Sequence, residues 1–236
     1  MRKGVFLTAA DRPEYFRDTM KSWESVRWHD DWVFNLRIEP TPKLDQMLEI
    51  ADSFTAFPIT LQVNDTVIGA PTHPKVAFEE MFNTMFRDYV VSVEDDLLVS
   101  DDFLEYHRWA ASEYQFDPEI ATVSSFSANG VDSSLVYRQS GFISWGFGTW
   151  WDRWEDYISP TWDGNYSTYE MYPGDRSGWD WNLNLRVLPS LGKQTIFPDV
   201  SRIQNIGVHG VHGTAENFLQ SSCFDKSRGL TLLQER

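Results

Sequence analysis

Three consecutive carboxylates, Glu94, Asp95 and Asp96, close the apolar run at the head of VVSVEDDLLVSDDFLEYHRW, residues 90–109. Like charges this close repel one another, and a divalent cation is the commonest group that relieves them. Carboxylate oxygens suit a hard ion such as Mg2+ or Mn2+. Asp101 and Asp102 fit a different role, with Ser100 capping a helix and the two acids at its positive end. Arg12, in TAADRPEYF, carries a fixed charge that can pair with phosphate or stack on a base, or form an ordinary surface ion pair. His209 and His212 lie in the glycine-rich GVHGVHG, which leaves little room for core packing. Imidazoles so placed can be ligands as well as structural partners. In GFISWGFGTWWDRW, Gly146 and Gly148 permit close backbone approach, and Trp145 and Trp150 offer flat faces, for a ligand or for core packing. Asp180 in SGWDWN, read from its position alone, is a first-turn carboxylate that stabilises a helix dipole.

These groups act together only if the fold brings them to one edge. GVFLTAA (4–10), WVFNLRI (32–38), FPITLQV (57–63) and YVVSV (89–93) read as strands, rich in β-branched and aromatic residues. Helical patterns separate them. Asp11-Arg12-Pro13 supplies a cap and a first-turn proline, followed by a face of Phe16, Met20, Trp23 and Val26 or Arg27 at helical spacing. Leu44, Met47, Leu48 and Ala51 form a second stripe, and Val76, Met81, Phe82 and Met85 a third. Strand and helix in alternation predict an α/β fold with a mostly parallel sheet flanked by helices. Ligands of such folds sit beyond the carboxyl ends of the strands. Asp11, Arg12 and the acidic triplet fall at that edge. The second half is aromatic and Gly-rich, with an irregular stretch at 159–178 and a helix at WDWNLNLRVL.

Composition narrows the partners. The 236 residues are 42% apolar, enough for one large domain with a substantial core. Twenty basic against 35 acidic side chains give a formal charge of -15, which disfavours nucleic acid and anionic membranes. The single Cys223 excludes an internal disulfide and a thiolate metal site. The apolar run before Asp11 is too short for a signal peptide or membrane span, so the expectation is a soluble, cytoplasmic protein. Eleven Trp suit sugar faces, although most Trp in any domain pack the core.

The motifs taken in order carry a resemblance. VVSVEDDLLVSDDFLEYHRW is similar to the acidic segment of family 13 glycosyltransferases, the N-acetylglucosaminyltransferase I type, in which E-D-D replaces the commoner D-x-D. TAADRPEYF resembles the family's first strand and its turn at the nucleotide. GFISWGFGTWWDRW resembles a Gly/Trp loop found there and in related bacterial sugar transferases, WDWNLNL a W-D-x-x-W helix, and IQNIGVHGVHG an N-I-G segment ending in His. The matches span about residues 4–215. The resemblance implies a single GT-A (Rossmann-like) domain over 1–236, with about residues 1–125 binding the nucleotide sugar and about 126–236 forming an acceptor and catalytic half. It implies Asp96 as ligand of Mn2+ or Mg2+, with His212 and then His209 as further ligands to metal or diphosphate. Glu94 and Asp95 would hold sugar and ribose hydroxyls, and Arg12, with Asp11, the nucleotide. Asp180 matches the family's catalytic base, which takes the acceptor's proton as the diphosphate leaves. The implied activity is sugar transfer from a nucleotide sugar, UDP-linked in the first instance and GDP-linked as the alternative, to a glycan, protein or lipid hydroxyl with inversion. The 159–178 stretch has no counterpart in that pattern. A metal-dependent phosphohydrolase or nucleotidyltransferase, and a non-catalytic sugar-binding module, are the competing classes; no second cluster of His and Asp at two-metal spacing supports the former.

Overall fold

The computed structural model describes residues 1–128, 130–162 and 178–208, together with Phe224 and the strand Gln234–Glu235. β1 (Lys3–Ala9), β2 (Trp32–Ile38), β3 (Thr60–Val63) and β4 (Tyr89–Glu94) run parallel in the order β4-β1-β2-β3. α1 (Pro13–Trp23), α2 (Leu44–Ser53) and α3 (His73–Glu79) cross between them. β3 starts three residues later than FPITLQV suggests, at Thr60, where pairing with Asn35 begins.

The chain continues through β5 (Leu97–Val99), α4 (Phe103–Glu113), β6 (Ile120–Val123), β7 (Leu135–Gln139) and β8 (Gly148–Trp150). Then follow α5 (Trp151–Arg153), α6 (Trp179–Asn182), α7 (Leu188–Ser190), β9 (Gln194–Pro198), β10 (Ile203–Asn205) and β11 (Gln234–Glu235). Among the described residues the strands form a nine-stranded sheet, ordered β11-β7-β9-β6-β8-β4-β1-β2-β3, and a separate antiparallel pair of β5 with β10. Among them, too, no helix is long and apolar enough to cross a membrane.

Both faces of the sheet are covered, which is why β1 and β4 read as continuous apolar runs instead of alternating ones. Val5 and Leu7 of β1 and Val91 and Val93 of β4 pack with Phe16, Met20 and Trp23 of α1. Phe6 and Val90 point the other way, towards Phe78, Phe82, Phe147 and Trp154. Phe78 is fully buried against Phe6, Trp154 and Phe147, so its truncation to Ala should cost about 3–5 kcal/mol.

Three local expectations are corrected. α1 starts at Pro13 with Arg12 as its flanking residue and no side-chain cap, so Asp11 does not cap it; the helix end is instead fixed through Arg12, whose guanidinium is held by carboxylates. Ser100 does not cap α4 either. Its hydroxyl donates to Asp102 Oδ1 at 2.6 Å, and Asp102 is buried in an ion pair with Arg202 Nε at 3.3 Å. The third apolar stripe is also displaced: α3 widens into a π-helical turn at Glu80–Thr84, which shifts the angular phase. Ala77, Phe78, Met81 and Phe82 face the core, while Val76 and Met85 are half-buried.

Candidate active site

The parallel register places the end of β1 beside the end of β4, with Thr8 opposite Glu94. One step on, the Ala10 N–H donates to Asp95 Oδ2 at 3.2 Å, and Thr19 of α1 donates its hydroxyl to the Asp95 carbonyl at 2.9 Å. These bonds tie Asp95, by side chain and backbone, to the first β-α unit. Arg12 then reaches across: Nη1 meets Asp96 Oδ2 at 2.6 Å and Nη2 meets Asp95 Oδ1. Asp95 and Asp96 are only 2% and 6% exposed, and Arg12 is half-buried. Asp96 Oδ1 is buried with no hydrogen-bond partner.

The charges bear on one another. Burial pushes the Asp95 carboxyl up to about 6, with Arg12 opposing and Asp96 adding. Burial likewise pushes Glu94 up to about 8, reinforced by Asp96 and Asp95, opposed by Arg12, and reinforced again by Asp180. Burial works against the charge on Arg12, but Asp95 and Asp96 outweigh it and raise its pKa. Asp180 is thus an electrostatic neighbour of the triplet although it lies far along the chain. Its helix is held by aromatic stacking: Trp179 lies on Trp162 with ring centroids 3.8 Å apart and planes within 10°. Gly178 precedes it at φ 138°, a conformation open to glycine, and accepts the first helical N–H, from Asn182 at 3.0 Å.

β10 brings the N-I-G segment over the acidic triplet. Ile206 N–H donates to the Asp96 carbonyl at 2.9 Å, and Gly207 N–H to Asn205 Oδ1 at 2.8 Å. A Cβ on Gly207 would overlap Asp96 Oδ2, so any larger residue there would force Asp96 to shift. His209 and His212, like residues 163–177, lie outside the described residues.

The Gly/Trp loop is placed differently from a simple ligand cradle. Gly146, at φ 61°, is buried with its carbonyl accepting from Ser125 Oγ, and a Cβ there would meet Ile203 and Ser125. Gly148 lies within the sheet, paired with Val91 and Val123, and a Cβ would overlap Tyr89. The close approaches permitted by these two glycines are therefore to protein atoms. Trp150 offers no free face: it is 2% exposed, lies under the Arg153 guanidinium and donates its indole N–H to Ala111. Trp145 is half-buried, edge-to-face with Phe126. Asp11 is exposed at the same edge as Arg12.

One further group at this edge escapes motif reading. Glu39, directly after β2, is 2% exposed and accepts the N–H groups of Ile68, at 3.1 and 3.2 Å, and Gly69, at 2.9 Å. His73 Nδ1 stands 3.6 Å from it, and burial pushes this imidazole down to about 4 despite the carboxylate. His73 Nε2 is buried without a partner. The usable signal was position: Glu39 follows WVFNLRI as the triplet follows YVVSV.

The N-I-G segment and the triplet both fall in the stretch matched by a protein-family model, GNT-I family, over residues 68–221. The chain belongs to the GNT-I family. This GNT-I chain is similar to alpha-1,3-mannosyl-glycoprotein 2-beta-N-acetylglucosaminyltransferase of Arabidopsis thaliana, 31% identical over 143 residues, which are 58% of this chain and 29% of that protein. The chain thus spans less than a third of the plant protein. Among solved structures, mannosyltransferase PcManGT from Pyrobaculum calidifontis in complex with GDP-Man and Mn2+ superposes with a TM-score of 0.60 at 15% identity, over 89% of this chain and 59% of that one. S. aureus TarS 1-349 superposes with a TM-score of 0.57 at 10% identity, over 94% and 71%. The GNT-I chain has the GT-A fold.

Proposed function

We propose that this GNT-I family chain is a glycosyltransferase that moves a sugar from a nucleotide-sugar donor to an acceptor hydroxyl, with a divalent cation at Asp96. The observation that carries the reading is Asp96 itself, delivered by β4 to the ligand edge with one carboxylate oxygen buried and unpartnered. That oxygen fits a hard cation. Among the described residues no group of three or more His, Cys, Asp or Glu could hold a metal ion by itself, so a cation at Asp96 would need oxygens of the donor as further ligands. When bound, Mn2+ or Mg2+ would offset the negative charge of the leaving diphosphate; the family likeness and PcManGT's complex with Mn2+ support this choice.

The strand order supports one direction for the donor. Triplet, Arg12 and Glu39 follow β4, β1 and β2, which are adjacent in that order. A donor laid along this edge has its diphosphate by Arg12 and Asp96 and its base towards Glu39 and His73, whose free Nε2 is a ready hydrogen-bonding group. The sugar then lies by Glu94 and Asp95, between the diphosphate and Asp180. Asp180 takes the acceptor's proton, and direct displacement from that side inverts the anomeric centre. The electrostatic influence of Asp180 on Glu94 favours this over a module that only binds sugar. The residues from about 126 onwards form the acceptor side, and His212, ahead of His209, would add a ligand to metal or diphosphate.

UDP-sugars are the first donors to test and GDP-sugars the second, each with Mn2+ or Mg2+ and glycan, peptide and lipid acceptors. Metal-dependent release of nucleoside diphosphate, with an inverted anomeric proton in the product by NMR, is the expected result. A saturating ligand, at about a hundredfold its Kd, should also stabilise the fold by roughly 2.7 kcal/mol. Absence of both release and stabilisation across the panel would overturn the reading, and Asp96→Asn should remove the metal-dependent part of any binding seen.

A further inference from the structure

Arg12 is committed to the protein in a way that a simple phosphate ligand is not. Both terminal nitrogens are engaged, Nη1 with Asp96 Oδ2 at 2.6 Å and Nη2 with Asp95 Oδ1, while Asp96 Oδ1 is left buried and unpartnered. The guanidinium is therefore already the counter-ion of the carboxylate that would hold a divalent cation. A cation entering beside it would meet a like charge in a poorly solvated place. Arg12 nevertheless has freedom to leave: its side chain is 31% exposed, and its backbone, at φ -116° and ψ 68°, lies outside the helix that begins at Pro13.

We propose that Arg12 is an exchangeable counter-ion, neutralising Asp95 and Asp96 in the free protein and moving to the donor's diphosphate when a divalent cation takes Asp96. The inference rests on the donor site proposed above and adds a sign that the site alone does not have. Arg12 opposes metal binding in the absence of nucleotide and supports nucleotide binding in the presence of metal. Its carboxylate partners remain neutralised in both states, first by the guanidinium and then by the cation. Coupling of this kind is reciprocal, so each ligand should tighten the other through Arg12.

The test is a titration of free Mn2+ by electron paramagnetic resonance, using the whole chain, with Mn2+ alone and with UDP or GDP present. Arg12→Met should bind Mn2+ alone about tenfold more tightly than wild type, and UDP or GDP with Mn2+ about tenfold more weakly, within the usual range of coupling between sites. The opposed signs are the diagnostic, because an Arg that only contacts donor would leave Mn2+ alone unchanged, and an Arg that only braces the fold would weaken both. Arg12→Lys, which keeps the charge but cannot span two carboxylates, should show a smaller gain for Mn2+ alone and serves if Arg12→Met does not fold. Mn2+ alone binding the folded variant no more tightly than wild type overturns the exchange while leaving the donor site standing. No binding of Mn2+, UDP or GDP to wild type, alone or combined, overturns the donor site itself.

Discussion

The backbone carbonyl of Asp96 accepts the N–H of Ile206 at 2.9 Å, joining the acidic end of β4 to the N-I-G segment behind β10. This contact brings two distant motifs together and sets Gly207 against the side chain of Asp96. Gly207→Ala would drive a methyl group into Asp96 Oδ2, which belongs to a short side chain already held by Arg12. The expected outcome is a loss of Mn2+-dependent UDP or GDP affinity of tenfold or more, with overpacking costing about 1–3 kcal/mol of stability. Calorimetry of nucleotide binding alongside a urea melt checks it; wild-type affinity would mean the segment yields without disturbing Asp96.

Gly148 separates packing from ligand contact. It sits in the sheet with its hydrogen atoms against Tyr89, whose hydroxyl is 2.8 Å from His107 Nδ1. Gly148→Ala should therefore displace Tyr89 and destabilise the fold by about 1–3 kcal/mol. Nucleotide affinity of the folded variant should stay within about twofold of wild type, a range worth less than a single hydrogen bond. A specific loss of nucleotide affinity with unchanged stability would return Gly148 to the donor site.

His107 provides a pH signature of the core. Ser125 donates to the Gly146 carbonyl, so its oxygen accepts from His107 Nε2–H, at 2.7 Å, and Nδ1 is left to accept from Tyr89. Complete burial pushes this imidazole from its ordinary 6.5 down to about 3. Between those values the unfolded chain takes up a proton that the folded chain refuses, so His107's contribution is full above pH 6.5 and is lost as pH falls. Glu94 and Asp95, raised by burial, act in the opposite sense over part of the window, so the slope of wild type alone is a mixture. Comparison with His107→Gln isolates it: the stability gap between wild type and variant should narrow by roughly 1 kcal/mol from about pH 6 to about pH 5. Urea melts at the two pH values measure this, and a constant gap would show that His107 does not titrate in that way.

The parts of this molecule legible in its sequence are those that depend on short-range pattern. β1 and β4 are buried on both faces, so GVFLTAA and YVVSV stand out as nearly continuous apolar runs, while WVFNLRI of β2 is mostly apolar but carries Asn35 and Arg37. The rule that ligands sit beyond parallel strands then singles out Arg12 and the triplet. What the pattern does not carry is partner choice across the fold. Asp102 looks like a helix-end acid, yet Arg202, a hundred residues away, buries it in an ion pair and removes it from any cap. Arg12 reads as a free cation until the β1-β4 register sets it against two carboxylates. The π-helical turn after α3 hides Phe78 from a search at strict α-helical spacing. Asp180 comes within electrostatic reach of Glu94 in part through Trp179 stacking on Trp162, a contact between aromatic residues that the sequence presents simply as two of many.

Asp180 carries the prediction that separates transfer from binding. Asp180→Asn keeps the shape of the side chain and removes its charge and its capacity to take a proton. The helix should tolerate the change, since its start is fixed by Gly178, by the Trp179–Trp162 stack and by Asn182, whose side chain donates to the Thr161 carbonyl at 3.0 Å. Removing a charge beside Glu94 should also ease that carboxyl's burden slightly, so stability should hold or rise. Donor and metal binding should persist, because Asp96 and Arg12 are untouched. Turnover should fall by roughly 10²- to 10⁴-fold, the usual worth of a positioned base, with little change in the Kd for UDP or GDP with Mn2+. Rates of diphosphate release, nucleotide affinity and melting temperature on this one variant decide the matter. A variant that turns over at near the wild-type rate would exclude Asp180 as the base, and a variant that loses donor affinity in step with turnover would make it a binding residue instead.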